Sequence, residues 1–205
     1  MRPDELLIKG LRELGLGPSE EQARKFMAYL GELRRWQRAM SLTSLRSEED
    51  IVVKHFVDSC LYLGVLPADA VSVADVGSGA GFPGLPLKIM RPGLRVHLIE
   101  SSAKKCSFLR HMQRTLELGG LEVIESRVED VRGLRVDAAL TRALFSVEDF
   151  VRKASHIVRE GGVFVLNKGP KAKEEVEGSS LHCEVVPVEL PIAGATRNLV
   201  VVRKE

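Results

Sequence analysis

A doubly wound α/β fold is predicted by three observations. Short apolar strands alternate with amphipathic helices from Val71 onward, and a glycine-rich turn closes the first strand. The last two apolar runs then follow each other with no helix between them. Alternation predicts a mostly parallel sheet, and the final pair predicts an antiparallel edge. The chain has 205 residues, 44% hydrophobic and 28% charged, which excludes a disordered or collagen-like polypeptide. That length supports one sizeable core with an appendage better than two full domains. The expected division is a helical extension over 1–66 and a sheet domain over 67–205.

The extension reads as helices. Pro3 is harmless in a first turn, and Leu6, Leu7, Leu11 and Leu14 form one stripe before Gly15-Leu16-Gly17 breaks it. Ser19 is an N-cap answered by Gln22. Ala23, Phe26, Met27, Leu30, Leu33 and Met40 then repeat at helical spacing, with Trp36 near their stripe. The polar side carries Arg24, Lys25, Arg34, Arg35 and Arg38 against Glu32. Ser47 with Asp50 opens a further helix through Ile51, Val52, Phe56 and Leu61.

Beyond it the period changes. Val71–Val76 is a short apolar strand followed by the glycine turn, and a helix through Leu85–Met90 stops at Pro92-Gly93. Val96–Glu100 is a second strand, and Ala103–Leu118 a helix ended by Gly119-Gly120. Leu121–Glu125 and Val136–Leu140 are further strands. Val147–Val158 is helical, and Gly161-Gly162 precedes the strand Val163–Leu166. Lys168–Ser180 is a polar connector, after which Cys183–Leu190 and Asn198–Val202 complete seven strands.

The turn Asp75-Val76-Gly77-Ser78-Gly79-Ala80-Gly81 carries the strongest chemical signal. Closely spaced glycines let a backbone approach a ligand without Cβ clashes. Glu100 ends the next strand, where a carboxylate can accept hydrogen bonds from both hydroxyls of a ribose. Gly79-x-Gly81-x-x-Gly84 formally satisfies the dinucleotide fingerprint, so NAD is one reading. Glycine already crowds the turn before Gly79, however, and Pro83 stiffens the start of what should be a phosphate-binding helix. Asp-x-Gly-x-Gly-x-Gly closing a first strand instead resembles the first motif of Rossmann-like S-adenosylmethionine methyltransferases, whose cofactor has no pyrophosphate.

Several separated blocks extend that likeness. They are Leu33-Arg34-Arg35-Trp36, Ser41-Leu42-Thr43-Ser44, His55-Phe56-Val57-Asp58-Ser59, the turn through Phe82-Pro83-Gly84, and Glu100-Ser101-Ser102-Ala103-Lys104-Lys105-Cys106-Ser107-Phe108-Leu109. Ser126-Arg127-Val128-Glu129, Thr141-Arg142-Ala143, Leu166-Asn167-Lys168-Gly169 and Arg197-Asn198-Leu199-Val200-Val201-Val202 follow in order. Together they resemble the bacterial small-subunit rRNA (guanine-N7) methyltransferases, the RsmG or GidB family, over nearly the whole chain. Ser41, Ser126, Thr141 and Asn198 depart from the residues common in that family.

The resemblance implies a class I methyltransferase sheet of seven strands with an N-terminal helical extension. It further implies methyl transfer from S-adenosylmethionine, leaving S-adenosylhomocysteine, to N7 of a guanine in the 530 loop of 16S rRNA. Asp75, Gly77, Ser78, Gly79, Gly81, Phe82, Glu100, Ser101, Val128, Glu129 and Arg142 would form the cofactor site. Arg142 would position cofactor and substrate from the end of the fourth strand. Blander readings stand beside these: Phe82 as a core plug, Glu129 as a surface charge, Arg142 paired with a carboxylate such as Asp137. His55 and Asp58, three apart on a helix, read as a contact between helix and sheet domain.

The chemistry agrees with the residue types. Guanine N7 has a free lone pair and no proton to lose, so no general base is expected. The fourth strand ends Leu140-Thr141-Arg142-Ala143-Leu144-Phe145, without the Asx-Pro-Pro-aromatic element used on exocyclic amines or a cysteine nucleophile. Basic residues fall in two groups, Arg24, Lys25, Arg34, Arg35 and Arg38, then Lys104, Lys105, Arg110 and Arg114. Lys168, Lys171, Lys173 and Arg197 are candidate rim residues. Of these, Arg34, Arg35, Arg38, Lys104, Lys105, Lys168 and Arg197 are the expected RNA contacts.

Net charge is only +2, from 30 Lys+Arg and 28 Asp+Glu, so position rather than total must carry RNA binding. Three scattered cysteines and five histidines form no metal-ligand pattern. No secretion signal or membrane span is legible, which predicts a cytoplasmic protein, and no apolar stripe is left unexplained, which predicts a monomer. The resemblance implies that its partner is 16S rRNA within a small-subunit particle. A small-molecule methyltransferase and a non-catalytic RNA-binding or ribosome-assembly module are the alternatives.

Overall fold

The computed structural model of the protein describes residues 1–142, 144–169 and 172–205. Helices α1 (Pro3–Glu13) and α2 (Glu20–Gln37) open the chain. Ser19 caps α2 reciprocally with Gln22, whose amide also reaches the carbonyls of Ile89 and Met90. Ser47 caps α3 (Glu48–Ile51) through the Asp50 amide. The helix predicted from there continues to Gly64 but is not uniform. It widens to a π-helix over Val52–Val57, returns to α4 (Asp58–Cys60), and tightens to 3-10 over Leu61–Gly64. A π-turn re-aims the side chains it carries, and His55 lies within this one.

Strands β1 (Ser72–Val76), β2 (Arg95–Glu100), β3 (Leu121–Glu125), β4 (Val136–Arg142), β5 (Val158–Lys168), β6 (Cys183–Leu190) and β7 (Ala195–Arg203) form one sheet. Its order is β3-β2-β1-β4-β5-β7-β6. The first five strands pair in parallel, and β7 is antiparallel to both β5 and β6, as predicted. Helices α5 (Gly84–Met90), α6 (Ala103–Thr115), α7 (Val147–Ala154) and α8 (Ala172–Glu177) complete the layers.

Strand alternation sorts the core into two faces. Val73, Leu98, Leu140, Val165 and Leu199 pack with Leu7, Leu11, Phe26, Tyr29, Phe56 and Phe108, so the N-terminal helices and one sheet face share a single hydrophobic cluster. Ala74, Ile99, Ala139, Phe164 and Val200 face the other way, against Phe150 and Ala154 of α7.

Two segments differ from expectation. Gly161-Gly162 does not separate a helix from a strand, because β5 already begins at Val158 and the helix ends at Ala154. The glycine pair is an irregularity inside the strand, where the β4–β5 register jumps between Val136/Val158 and Ala138/Val163. A Cβ on Gly162 would stand 2.8 Å from the Asp137 carbonyl, so only glycine lets the backbones pass. Within the polar connector, α8 is a short helix that no apolar periodicity announced. Lys171 lies outside the described residues, as does Ala143.

Candidate functional site

The carboxyl ends of β1, β2 and β4 meet above the glycine turn, the place where open α/β sheets hold ligands. The Gly77 amide donates to the Ile99 carbonyl at 2.8 Å, which folds the turn back over β2. Gly77 itself has φ +74°, and a Cβ there would project into Leu144. Beneath the turn, Asp75 Oδ2 accepts from the Gly84 amide at 2.9 Å and Ser78 Oγ donates to the Asp75 carbonyl at 2.8 Å. Burial pushes the Asp75 carboxyl up to about 7, against the Gly84 hydrogen bond that favours its charged form. Above, Tyr29 Oη of α2 donates to the Ala80 carbonyl at 2.5 Å.

Glu100 serves the same turn from β2. Its Oε2 accepts from the Gly79 amide and its Oε1 from the Ser102 amide, each at 2.9 Å. Each carboxylate oxygen retains a further lone pair for a ligand hydroxyl. Beside it lies a cleft of about 450 Å³, within the range of nucleotide-sized sites. Of the expected cofactor residues, Gly77, Glu100, Ser101, Val128 and Glu129 line it, joined by Lys105 from the expected RNA contacts. Asp75, Ser78, Gly79 and Gly81 shape the turn from outside that lining. Phe82 is 8% exposed and packs among Tyr29, Phe56 and His55, the core-plug alternative. Leu144, Phe145, Ser126, Arg127 and Lys153 line the cleft without having been foreseen. Lys153 hydrogen-bonds to Glu129 and holds its carboxyl below the usual range.

Arg142 lies outside the cleft lining, at the end of β4. Its Nη2 donates to the Lys54 carbonyl at 2.6 Å, and its Nη1 stands 3.4 Å from Asp58 Oδ2. Asp58 is fully buried and also accepts from Arg197 Nε at 2.5 Å and Asn167 Nδ2 at 3.2 Å. Asp58 thus gathers side chains from β4, β5 and β7, a richer role than a simple contact between helix and sheet. Asp137 is not the partner of Arg142. It sits at the opposite end of β4, where burial would raise its pKa but the Arg159 and Ser72 hydrogen bonds outweigh that and hold it down at about 2.

His55 completes the cluster. It stacks on Phe82 with centroids 4.4 Å apart, and its Nε2 is 2.6 Å from Thr43 Oγ1. Burial, then the nearby Arg142 charge, drives its pKa from 6.5 down to about 3, so the ring is neutral. The unfolded chain takes up a proton near 6.5, whereas the folded site refuses it until about 3. The stability His55 preserves is therefore complete above 6.5 and lost as pH falls through that window, at up to about 1.4 kcal/mol per pH unit. His55→Phe keeps the aromatic stack and removes this titration. Between about pH 7 and about pH 5 the variant is expected to lose about 2 kcal/mol less than the native protein in urea unfolding. Equal losses would refute the assignment.

The expected RNA contacts divide. Arg34, Arg35, Arg38 and Lys104 are exposed, Arg34 pairing with Glu48 and Arg35 with Glu32 at 3.6 Å. Lys168 instead turns inward to the Phe145 carbonyl and to Glu175 at 2.9 Å, and Arg197 to Asp58. Among the described residues, no helix is long and apolar enough to cross a membrane.

Comparison with known proteins bears on this geometry. The family described as GidB, rRNA small subunit methyltransferase G, matches residues 22–200. A Pelotomaculum thermopropionicum protein named Ribosomal RNA small subunit methyltransferase G is 37% identical, covering 98% of this chain and 90% of its own. A Geobacter metallireducens protein of the same name is 35% identical, over 98% and 96%. Among solved structures, the fold is similar to a ribosomal protein L11 methylase from Lactobacillus delbrueckii. That match has a TM-score of 0.56 and 14% identity, and covers 78% of this chain and 81% of the other. An rRNA methylase from Streptococcus thermophilus gives a TM-score of 0.51 and 16% identity, covering 72% and 95%.

Proposed function

Because the chain belongs to the GidB family of rRNA small subunit methyltransferases, we propose that it transfers a methyl group from S-adenosylmethionine to N7 of a guanine in the 530 loop of 16S rRNA. The observation that carries this reading is a family match spanning residues 22–200 together with a cleft at the carboxyl ends of β1 and β2. The residues fit the cofactor. Gly77 provides a floor that any Cβ would fill. Glu100 has acceptor capacity left for ribose hydroxyls, and Val128 and Glu129 flank the space for adenine, with Ser101 beside them. When bound, the sulfonium supplies a methyl group that needs no protein nucleophile.

The guanine N7 lone pair forms the new bond to carbon. The bonding pair of the broken C–S bond stays on sulfur, which becomes a neutral thioether, and the positive charge passes to the purine. No proton moves, so catalysis rests on holding methyl and N7 in line. Arg142 orients the nucleotide. Asp58 offsets its charge, which makes a guanidinium tolerable close to the developing cation. Arg142→Ala is expected to lower the rate of RNA methylation about tenfold, the worth of one good contact. An unchanged rate and unchanged RNA affinity would remove Arg142 from the site.

Phosphate contacts from Arg34, Arg35, Arg38, Lys104 and Lys105 would dock the RNA, with selectivity coming from local RNA shape and one splayed-out guanine. The enzyme is read as a cytoplasmic monomer, its helical extension at 1–66 joined to the sheet domain at 67–205. Labelled methyl transfer to small-subunit particles from a strain lacking the gene tests the whole reading. Label at a guanine N7 is expected. Label on small metabolites alone, or cofactor binding without transfer, would favour the two alternatives respectively.

A further inference from the structure

Buried polar atoms rarely go without partners. Among the described residues, the buried side-chain atoms with none are His55 Nδ1, Asp75 Oδ1 and Arg142 Nη1. His55 and Arg142 are neighbours, for Arg142 Nη2 donates to the Lys54 carbonyl, the peptide oxygen immediately preceding His55. What each orphaned nitrogen offers can be worked out. Arg142 Nη1 is a donor in every protonation state it adopts.

For His55 the tautomer follows from Thr43. The Thr43 oxygen accepts from the Leu45 amide at 3.1 Å and lies 2.6 Å from His55 Nε2. Among the described residues, its own hydroxyl hydrogen has one acceptor partner, that same Nε2. Thr43 therefore donates, Nε2 accepts, and the neutral ring carries its proton on Nδ1. Two buried donors on neighbouring side chains thus make no hydrogen bond of ordinary geometry, the Lys54 carbonyl beside the ring being taken up by Arg142 Nη2. Asp58 Oδ2 supplies charge but no hydrogen bond, standing 3.4 Å from Arg142 Nη1.

We propose that His55 and Arg142 are a paired-donor specificity subsite for O6 of the target guanine, aimed by Thr43 and Asp58 respectively. The inference rests on reading the protein as a guanine-N7 methyltransferase. O6 and N7 share one edge of guanine, so donors beside N7 meet O6. Adenine carries an amino group at that position and would set donor against donors. Burial of both nitrogens favours a base edge over a phosphate, which would keep its water. A site that leaves buried donors unpaired rejects the wrong base far more strongly than shape alone can.

The test uses full-length protein and small-subunit RNA carrying 2,6-diaminopurine at the mapped guanine. This base keeps N7 and the 2-amino group but replaces O6 by an amine. The native enzyme is expected to prefer guanine by about 100-fold or more. His55→Asn places an amide N–H where ring Nδ1 stood. It should retain most of the rate and the preference. His55→Gln restores the bond to Thr43 but not the inward donor, and is expected to lose about tenfold in both.

S-adenosylhomocysteine affinity, measured by calorimetry, should stay within about twofold in both variants. A native enzyme indifferent to diaminopurine overturns the proposal without reference to any variant. So does glutamine outperforming asparagine, which would make the Thr43 contact the role of His55. Parallel loss of cofactor affinity would assign the donors to the cofactor carboxylate, which also overturns it. If the native protein transfers no methyl to RNA, the functional reading itself has failed, and that result is visible before the variants are compared.

Discussion

Asp58→Ala is expected to lower the free energy of unfolding by about 3 kcal/mol, read as an earlier urea midpoint at unchanged slope. Removing one partner of a buried ion cluster costs more than the cluster contributes, because the remaining charges stay desolvated. Here the remainder is two guanidinium groups, Arg142 and Arg197, drawn to one fully buried carboxylate. Their side chains are 22% and 26% exposed, so water can compensate part of the loss, which places the effect at the lower end of the known range. Asp58→Asn preserves volume and one acceptor and should cost less. An unchanged midpoint for the alanine variant would show that the arginines find other partners without cost.

Gly77→Ala separates stability from binding. With φ +74°, an alanine here strains the backbone by about 1 kcal/mol. The exposed Leu144 side chain that the new methyl meets can swing aside. A cofactor lying across the turn cannot, and overpacking of about 2 kcal/mol converts to roughly thirtyfold weaker binding. Calorimetry with S-adenosylhomocysteine should show that loss in a protein whose unfolding is only slightly changed. Native affinity in the variant would exclude Gly77 from the cofactor floor.

What could be read from the chain follows a physical division between local and long-range signals. The turn at Gly77–Gly84, the carboxylate at Glu100 and the strands of the parallel half are local matters of glycine spacing and hydrophobic period. They appear where expected. The cluster of His55, Asp58, Arg142, Asn167 and Arg197 draws on segments up to 139 positions apart, and charge has no period that would announce such a meeting. Lys153 reaches the cleft only because α7 docks beside the Val128–Asp130 turn, a tertiary fact without a sequence mark. The Gly161-Gly162 pair misled because glycine at a helix end and glycine at a strand irregularity look alike in one dimension. Lys168 and Arg197 read as rim cations for the same reason, since sequence shows a charge but not the carboxylate that turns it inward.

Of the two tyrosine hydroxyls of the helical extension, one ties down the glycine turn and the other ties down β4. Tyr29 holds the Ala80 carbonyl, and Tyr62 holds the Thr141 carbonyl at 2.6 Å, both from within the cluster that packs the helices on the sheet. Opening the turn alone would break a buried phenol bond and separate Tyr29 from Phe82. Its amides are therefore expected to exchange with solvent hydrogen on the timescale of α2 rather than of a surface loop, as deuterium uptake would show. A turn with four glycines in the eight residues Gly77–Gly84 would ordinarily be slack, yet here it is already ordered, so a ligand bound against it gives up little chain entropy.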